Sequence, residues 1–350
     1  MPTIKEIALK AGVSPTTVSN VLHGRTARVS PRTRELVEAF LRDEGYAPNM
    51  GAMILARNNS RIIGVILFME PRRDETVLED PFSSTILGAM EKEIRESGYF
   101  LMLHATSDED EVIRLVRTWK LDGLVLLWVP ASICRAIRGS IETPVVFVDT
   151  YFEERDRGFH RIGLDDFKGG YRIAEYVLSR GHRRVLFLAN DDVHPGGDRF
   201  RFEGCCRAFA DRGLEFGEDR FVVVSKDPGE RRELYGRLSG RPLEYTALLF
   251  SSDYYAAEAV SFLGDHGTRV PRDVSVTGFD DNIFARLIRP RLTTIHQDVY
   301  GKGRTAIAML LDLIRGRPSV RSEVRLPVRL VERESVAPGP DGEAFDPSNV

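Results

Sequence analysis

The sequence predicts a small all-α N-terminal unit followed by a two-lobed α/β core built on parallel sheets, and three observations carry that prediction. Residues 3–45 show apolar positions at helical spacing, punctuated by glycine and by Ser-Pro starts. From Arg61 onward short apolar runs alternate with amphipathic ones, the pattern of strands joined by crossover helices. After "PVVFVD" the alternation starts a second time, which implies two similar lobes in series.

The N-terminal elements follow from their caps. In "TIKEIALKAG", Thr3 is a helix cap, Ile4, Ile7 and Ala8 form an apolar stripe, and Gly12 closes the helix in a tight turn. Ser14 and Pro15 then start a second helix, because proline at the first helical position gives up an N–H that would be unpaired there anyway. Val13 and Val18 stand at staple positions, and Val18, Val21 and Leu22 turn one stripe toward a core. The opposite face carries Thr16, Asn20 and His23, flanked by Thr17 and Ser19, all able to hydrogen-bond without obstructing a close approach. A third helix begins at Ser30-Pro31, runs Leu36, Val37, Phe40 and Leu41 along one side, and stops at Gly45. This order is that of a helix-turn-helix headpiece, in which the second helix lies in the DNA major groove. An ordinary three-helix bundle would leave the same polar residues merely solvated. Charge bears on the choice: residues 1–60 hold eight Lys and Arg against five Asp and Glu, whereas the 350-residue chain has a net charge of −3. Arg25, Arg28, Arg32 and Arg34 fall in or beside the loop after the second helix, where phosphate contacts would fix register without reading sequence.

In the core, "RIIGVILF", "YFLMLH", "DGLVLLW" and "PVVFVD" read as strands of a first lobe, and "RRVLFLA", "FVVVS", "ALLFSS" and "DVSVTGF" as strands of a second. The expected organisation is a headpiece over 1–46, a linker over 47–60, a core over 61–337 and a disordered tail over 338–350. Within the core, 61–160 with 291–320 form the first lobe and 161–290 with 321–337 the second. A ligand is expected between lobes, at the carboxyl ends of the strands. Cys134, Cys205 and Cys206 offer neither a disulfide framework nor zinc spacing, and the seven histidines are scattered. No nucleophile elbow or Gly-rich phosphate loop occurs, so no catalytic set, metal or cofactor is expected. The opening "MPTIKEIALK" lacks the apolar core of a signal peptide and no apolar run is long enough to span a bilayer, which predicts a cytoplasmic protein without a membrane partner.

The stretches "TIKEIALKAGVSPTTVSNVLHG", "RVSPRTRELVEAFLRDEGYAPN", "GHRRVLFLA", "RFEG", "VPRDVSVTGFDD" and "PRLTTIHQD" together resemble the LacI/GalR family of bacterial transcription regulators, from Thr3 to about Glu334. The resemblance implies a periplasmic-binding-protein-like core and a nucleoid-associated homodimeric repressor. Its partners would be a palindromic operator and a small polar effector, sugar-like, in the interlobe cleft. It implies DNA contacts from Thr3, Ser14, Pro15, Thr16, Thr17, Ser19, Asn20, His23 and Arg28. Thr16 and Asn20 are the hydrogen-bonding readers among them, asparagine pairing well with adenine. Many members carry a basic residue where Asn20 stands. "NMGAMILARNNS" corresponds to the family's hinge helix, with Leu55 matching a leucine that wedges into the minor groove and Ala52 the small residue one turn before it. Met53 stands where an arginine is common. Arg201 and Asp280 match two ligand-binding positions of the second lobe, a pair suited to gripping vicinal hydroxyls or a planar polar ligand by bidentate bonds. Phe250 and Asp253 lie at a strand end that usually lines the cleft, and Phe68, Trp128 and Asp149 end strands of the first lobe. The family's tetramers use a C-terminal helix with heptad leucines, a repeat the tail after Ser335 lacks, so a dimer is expected. Two rival classes are a solute-binding protein, which shares the core but not the headpiece, and an enzyme acting on sugars through Asp149 and Asp280 as paired carboxylates.

Overall fold

The computed structural model describes residues 2–22, 24–46, 59–69, 76–152, 158–190, 196–240, 242–317 and 321–340. His23, the linker with Ala52, Met53 and Leu55, and residues 341–350 lie outside the described residues. The chain divides into two compact units at Ser60–Arg61, where the strand–helix alternation begins.

The first unit holds α1 (Ile4–Ala11), α2 (Pro15–Leu22) and α3 (Pro31–Asp43). Thr3 and Glu6 form a reciprocal capping box on α1, and Gly12, at φ 64°, ends it in the left-handed conformation that favours glycine. Ser30 caps α3 by accepting from the Thr33 amide, with Pro31 in the first turn. Ile7, Ala8, Ala11, Val18, Val21 and Val37 make the shared core, so the stripes read from spacing do meet.

The second unit opens with β1 (Ile62–Phe68), α4 (Pro81–Glu96), β2 (Phe100–Thr106), α5 (Glu109–Trp119), β3 (Gly123–Leu127), α6 (Ala131–Ser140), β4 (Val145–Val148) and β5 (Arg161–Leu164). It continues through α7 (Asp166–Ser179), β6 (Val185–Ala189), α8 (Gly197–Ala210), β7 (Phe221–Val223), α9 (Pro228–Leu238), β8 (Ala247–Phe250), α10 (Asp253–Asp265) and β9 (Ser275–Asp280). Last come α11 (Ile283–Leu287), β10 (Thr293–Gln297), α12 (Val299–Ile314), β11 (Glu323–Leu326) and β12 (Val328–Val331). One sheet runs β11-β5-β4-β3-β1-β2 and the other β12-β10-β9-β8-β6-β7. The described pairings are parallel except β10 with β12. The near-continuous apolar strands β3, β4, β6 and β8 are buried along their whole lengths, as a sheet covered on both faces requires.

The lobes exchange chain at different points from those read in the sequence. β5 stays in the first sheet beside β4, and β10 belongs to the second sheet beside β9. Only α12, of the segment 291–320, packs on the first lobe, where Ala306, Ile307 and Leu310 join the core of β1, β3 and α4. Both strands are short and carry polar residues, so periodicity could not assign their sheet. The buried Thr293 and Thr294 of β10 find partners only in tertiary structure: the Arg333 amide donates to Thr293 and the Thr294 hydroxyl donates to Asp253. The ordered chain also runs past Ala337. The Ala337 amide donates to Ser275 and the Gly339 amide to the Arg180 carbonyl at 2.7 Å, so the start of the expected tail is tied to α7.

Candidate functional site

In the headpiece, Ser14 Oγ accepts from the Thr17 amide at 3.1 Å and shares a hydrogen bond with the Thr17 hydroxyl, which spends both side chains on starting α2. Pro15 and Thr16 are exposed, and Ser19 and Asn20 are half-buried. Thr16 and Asn20 are four residues apart on one helix face, and among the described residues neither side chain has a protein partner. Arg28 is exposed in the turn after α2, and Thr3 is exposed but occupied with Glu6.

In the core, polar side chains collect where the strands of both sheets end. Asp149 follows β4, Asp166 follows β5, Asn190 follows β6, Ser251 follows β8, Asp280 ends β9 and Gln297 ends β10. Trp128, Asp149, Asp280 and Asp281 all have left-handed backbones, with φ of 60°, 49°, 115° and 58°. Strain concentrated at successive strand ends is a mark of positions set by use. From α8, Arg201 donates to Asp166 at 2.9 Å and to the Ser251 carbonyl at 2.7 Å, and its guanidinium lies 3.6 Å from the centre of the Phe279 ring. Burial opposes its charge, but the carboxylates of Asp166, Asp198 and Asp280 outweigh burial and hold it protonated. From α12, the fully buried Lys302 donates to both oxygens of Asp149 at 2.8 Å and to Gln297 at 3.0 Å. Gln297 in turn donates to Asp280, and the Tyr151 hydroxyl donates to Asp166. The result is a chain of bonded groups from the first lobe to the second. Burial pushes the carboxyls of Asp149 and Asp198 above the usual range, against the pull of Lys302 and Arg201 respectively, and pushes Asp280 well above it, with Asp253 adding to the effect.

Of the residues named from sequence, Asp149, Arg201 and Asp280 come together here. Trp128 packs 6.0 Å from the Phe82 ring, whose centre is 5.0 Å from the Lys302 ammonium. Phe68 instead joins the core under α5 and α6, and Phe250 the core under α9 and α10, 6.3 Å from Tyr235. Asp253 sits fully buried behind the strand ends, accepting from the Asn282 amide at 2.8 Å and the Thr294 hydroxyl at 2.6 Å. Tyr151, Asp166, Asp198, Gln297 and Lys302 were not anticipated. Lys302 was readable: it falls on the stripe of Val299 and Ala306 between two glycines, which puts a charge on a helix's buried face.

Burial pushes Asp253 up to about 7, against the hydrogen bonds from Thr294 and Asn282. A carboxyl whose folded pKa exceeds its unfolded value keeps a proton the unfolded chain has lost, so its contribution is fully present below about pH 4 and is lost as pH rises toward about 7. In Asp253→Asn the amide can accept from Asn282 and donate to Thr294. The fall in unfolding free energy between about pH 4 and 7 should then flatten by about 3 kcal/mol in denaturant titrations, and an unchanged slope would assign the loss to other carboxyls.

A capped helix-turn-helix unit, joined to a two-lobed α/β core with a polar site at its strand ends, defines a ligand-responsive DNA-binding regulator. Residues 3–49 match the bacterial regulatory proteins of the lacI family, and residues 174–336 match the periplasmic binding protein-like domain. The chain is 30% identical over 348 residues to the HTH-type transcriptional repressor PurR of Erwinia tasmaniensis, across 97% of this chain and 98% of that one. It is likewise 30% identical over 347 residues to PurR of Escherichia coli O139:H28, again across 97% and 98%. Among solved structures it is similar to the Lac repressor dimer bound to operator and the anti-inducer ONPF, at 25% identity and TM-score 0.82 over 96% of this chain and 99% of that one. The fold is also that of the transcriptional regulator CelR in its cellobiose complex, at 24% identity and TM-score 0.70 over 96% and 100% of the chains. The chain belongs to the LacI family of bacterial regulatory proteins. It is a DNA-binding transcription regulator of the repressor type with an effector-binding domain; its relatives are repressors, not enzymes, and repressors of this family bind operator DNA as dimers with small-molecule effectors. Among the described residues no helix is long and apolar enough to cross a membrane, and no group of His, Cys, Asp and Glu could hold a metal.

Proposed function

We propose that this protein represses transcription from a palindromic operator as a homodimer in the cytoplasmic nucleoid, and that a sugar-like effector between its lobes sets its affinity for that operator. The observation that carries this reading is the pairing, in one chain, of an outward Thr16–Asn20 face on a capped helix with a buried Arg201–Asp280 site. Thr16 and Asn20 read base edges, Pro15 makes a shape contact, and Ser14, Thr17, Ser19 and His23 border them. Thr3 and Arg28 hold phosphates. Ala52 and Leu55 act at the minor groove as the hinge. Arg201, Asp149, Asp280 and Trp128 contact the effector, while Asp253, Phe68 and Phe250 support the strand ends from behind. The dimer, operator and small molecule present in the Lac repressor structure support the same division of labour. An effector preferring one lobe arrangement by about 1–3 kcal/mol would change operator affinity roughly 5- to 150-fold.

Selection of the purified dimer against randomised duplex DNA at moderate salt tests the reading. An inverted repeat is the expected result, and enrichment of no sequence by folded protein, with and without sugar pools, overturns it. Asn20→Ala should cost about 1–3 kcal/mol and relax preference at one base step in each half-site, whereas a uniform loss across sequences would make Asn20 a phosphate contact.

A further inference from the structure

The inference concerns the charge of the effector and rests on the effector reading above. Around Arg201 and Lys302 stand the carboxyls of Asp149, Asp166, Asp198 and Asp280, and Asp80 bears on Asp280 from the first lobe. Both cations are already committed. Lys302 directs its hydrogen bonds to Asp149 and Gln297 within the protein. Arg201 is held by Asp166, by Asp198 at 3.5 Å and by the Ser251 carbonyl, with one face on Phe279. Lys302 cannot turn to an anionic ligand without abandoning Asp149, and Arg201 could offer one only Nη2, which has no acceptor among the described residues and lies amid carboxyls.

Asp149 and Asp166 have both oxygens engaged, and one acceptor is less fully used. Asp280 receives only the Gln297 amide, on one oxygen; among the described residues no donor reaches the other. Its residue is 7% exposed, and the carboxyls of Asp253 behind it and Asp80 from the other lobe add negative potential, while Arg201 and the Gln297 hydrogen bond oppose them. A neutral hydroxyl would satisfy that oxygen as a hydrogen-bond donor, but an ammonium would satisfy it and also hold ionised a carboxyl that burial and Asp253 push toward its protonated form, and charge-assisted bonds are roughly twice as strong as neutral ones. We propose that the effector is a polyhydroxylated amine of the amino-sugar class, its ammonium against Asp280 and its hydroxyls on the remaining carboxylates, and that phosphorylated and carboxylated sugars are excluded.

The test uses the full-length protein and three matched sets, glucosamine, galactosamine and mannosamine, each with its neutral hexose and hexose 6-phosphate, followed by thermal shift and calorimetric titration. The amine should bind about tenfold or more tighter than its neutral partner, and the phosphate not at all. Asp280→Asn should erase the amine's advantage while the empty protein melts no lower, because a carboxyl whose charged form burial disfavours is replaced by a neutral amide. A neutral or phosphorylated sugar binding tightest, binding by no member of any set, or an amine preference that survives Asp280→Asn overturns the inference. The effector reading is judged apart from it by operator affinity. A bound neutral sugar that shifts operator affinity keeps that reading and sinks the charge assignment; a bound amine that leaves operator affinity unchanged does the reverse.

Discussion

Gly170→Ala is expected to destabilise the core by about 3 kcal/mol or more and to weaken effector binding in the same stroke. Helices α7 and α8 cross through two glycines. A methyl group on Gly170 would fall 1.8 Å from the Arg201 carbonyl oxygen, and one on Gly204 would fall 2.0 Å from the Phe167 carbonyl oxygen. The obstacles are backbone atoms, so no rotamer change relieves the clash and the helices must separate. Arg201 itself lies at the crossing, and Cys205 Sγ is 3.3 Å from the Gly170 carbonyl it donates to, so the displacement moves the guanidinium away from Asp166 and Ser251. Denaturant unfolding together with ligand titration measures both consequences. An unchanged midpoint would show that the helices can slide apart freely.

Lys302→Met keeps the length and apolar stem of the side chain and removes only the charge. It should cost about 3–5 kcal/mol near neutral pH, the penalty for stranding a partner carboxylate away from water. Asp149 and the Gln297 carbonyl lose their donor together, while the Asp149 side chain stays 12% exposed. Lowering the pH should return part of the loss, since protonation relieves a carboxyl whose folded pKa lies above its unfolded one. Adding Asp149→Asn to the variant should return most of it. Equal stability of Lys302→Met and the parent in urea at pH 7 would mean that water reaches Asp149.

The headpiece was legible because its signals are local. Thr3 with Glu6, Gly12, Ser14-Pro15 and Ser30-Pro31 each act within a few residues of themselves, and the structure bonds them as their spacing implies. Strands were legible as far as their existence. Their neighbours were not, because β5 is chosen by Glu323–Leu326, more than a hundred residues away in the chain, and β10 by Ser275–Asp280, at a separation of 16. Facing was the other limit. Side chains alternate along a strand, so Phe68 shares its side of β1 with Ile66 beneath α5 and α6, while Leu67 faces the α12 side. An aromatic at a strand end therefore tells nothing of its side until register is known. Arg201 and Asp280 were found through the pattern around them, whereas Asp166 and Asp198 become visible only once α7 and α8 are brought together.

The exchange of strands has a consequence for how the protein comes off the ribosome. β11 and β12 are separated by Pro327 alone, yet β11 completes the first sheet beside β5 and β12 completes the second beside β10. Until residues 323–331 emerge, each sheet is one strand short and ends at β5 or β10, an edge able to pair with other chains. A nascent chain arrested before Glu323 would thus hold two unfinished lobes instead of one finished and one absent. Completion of both lobes therefore waits on one late stretch of chain.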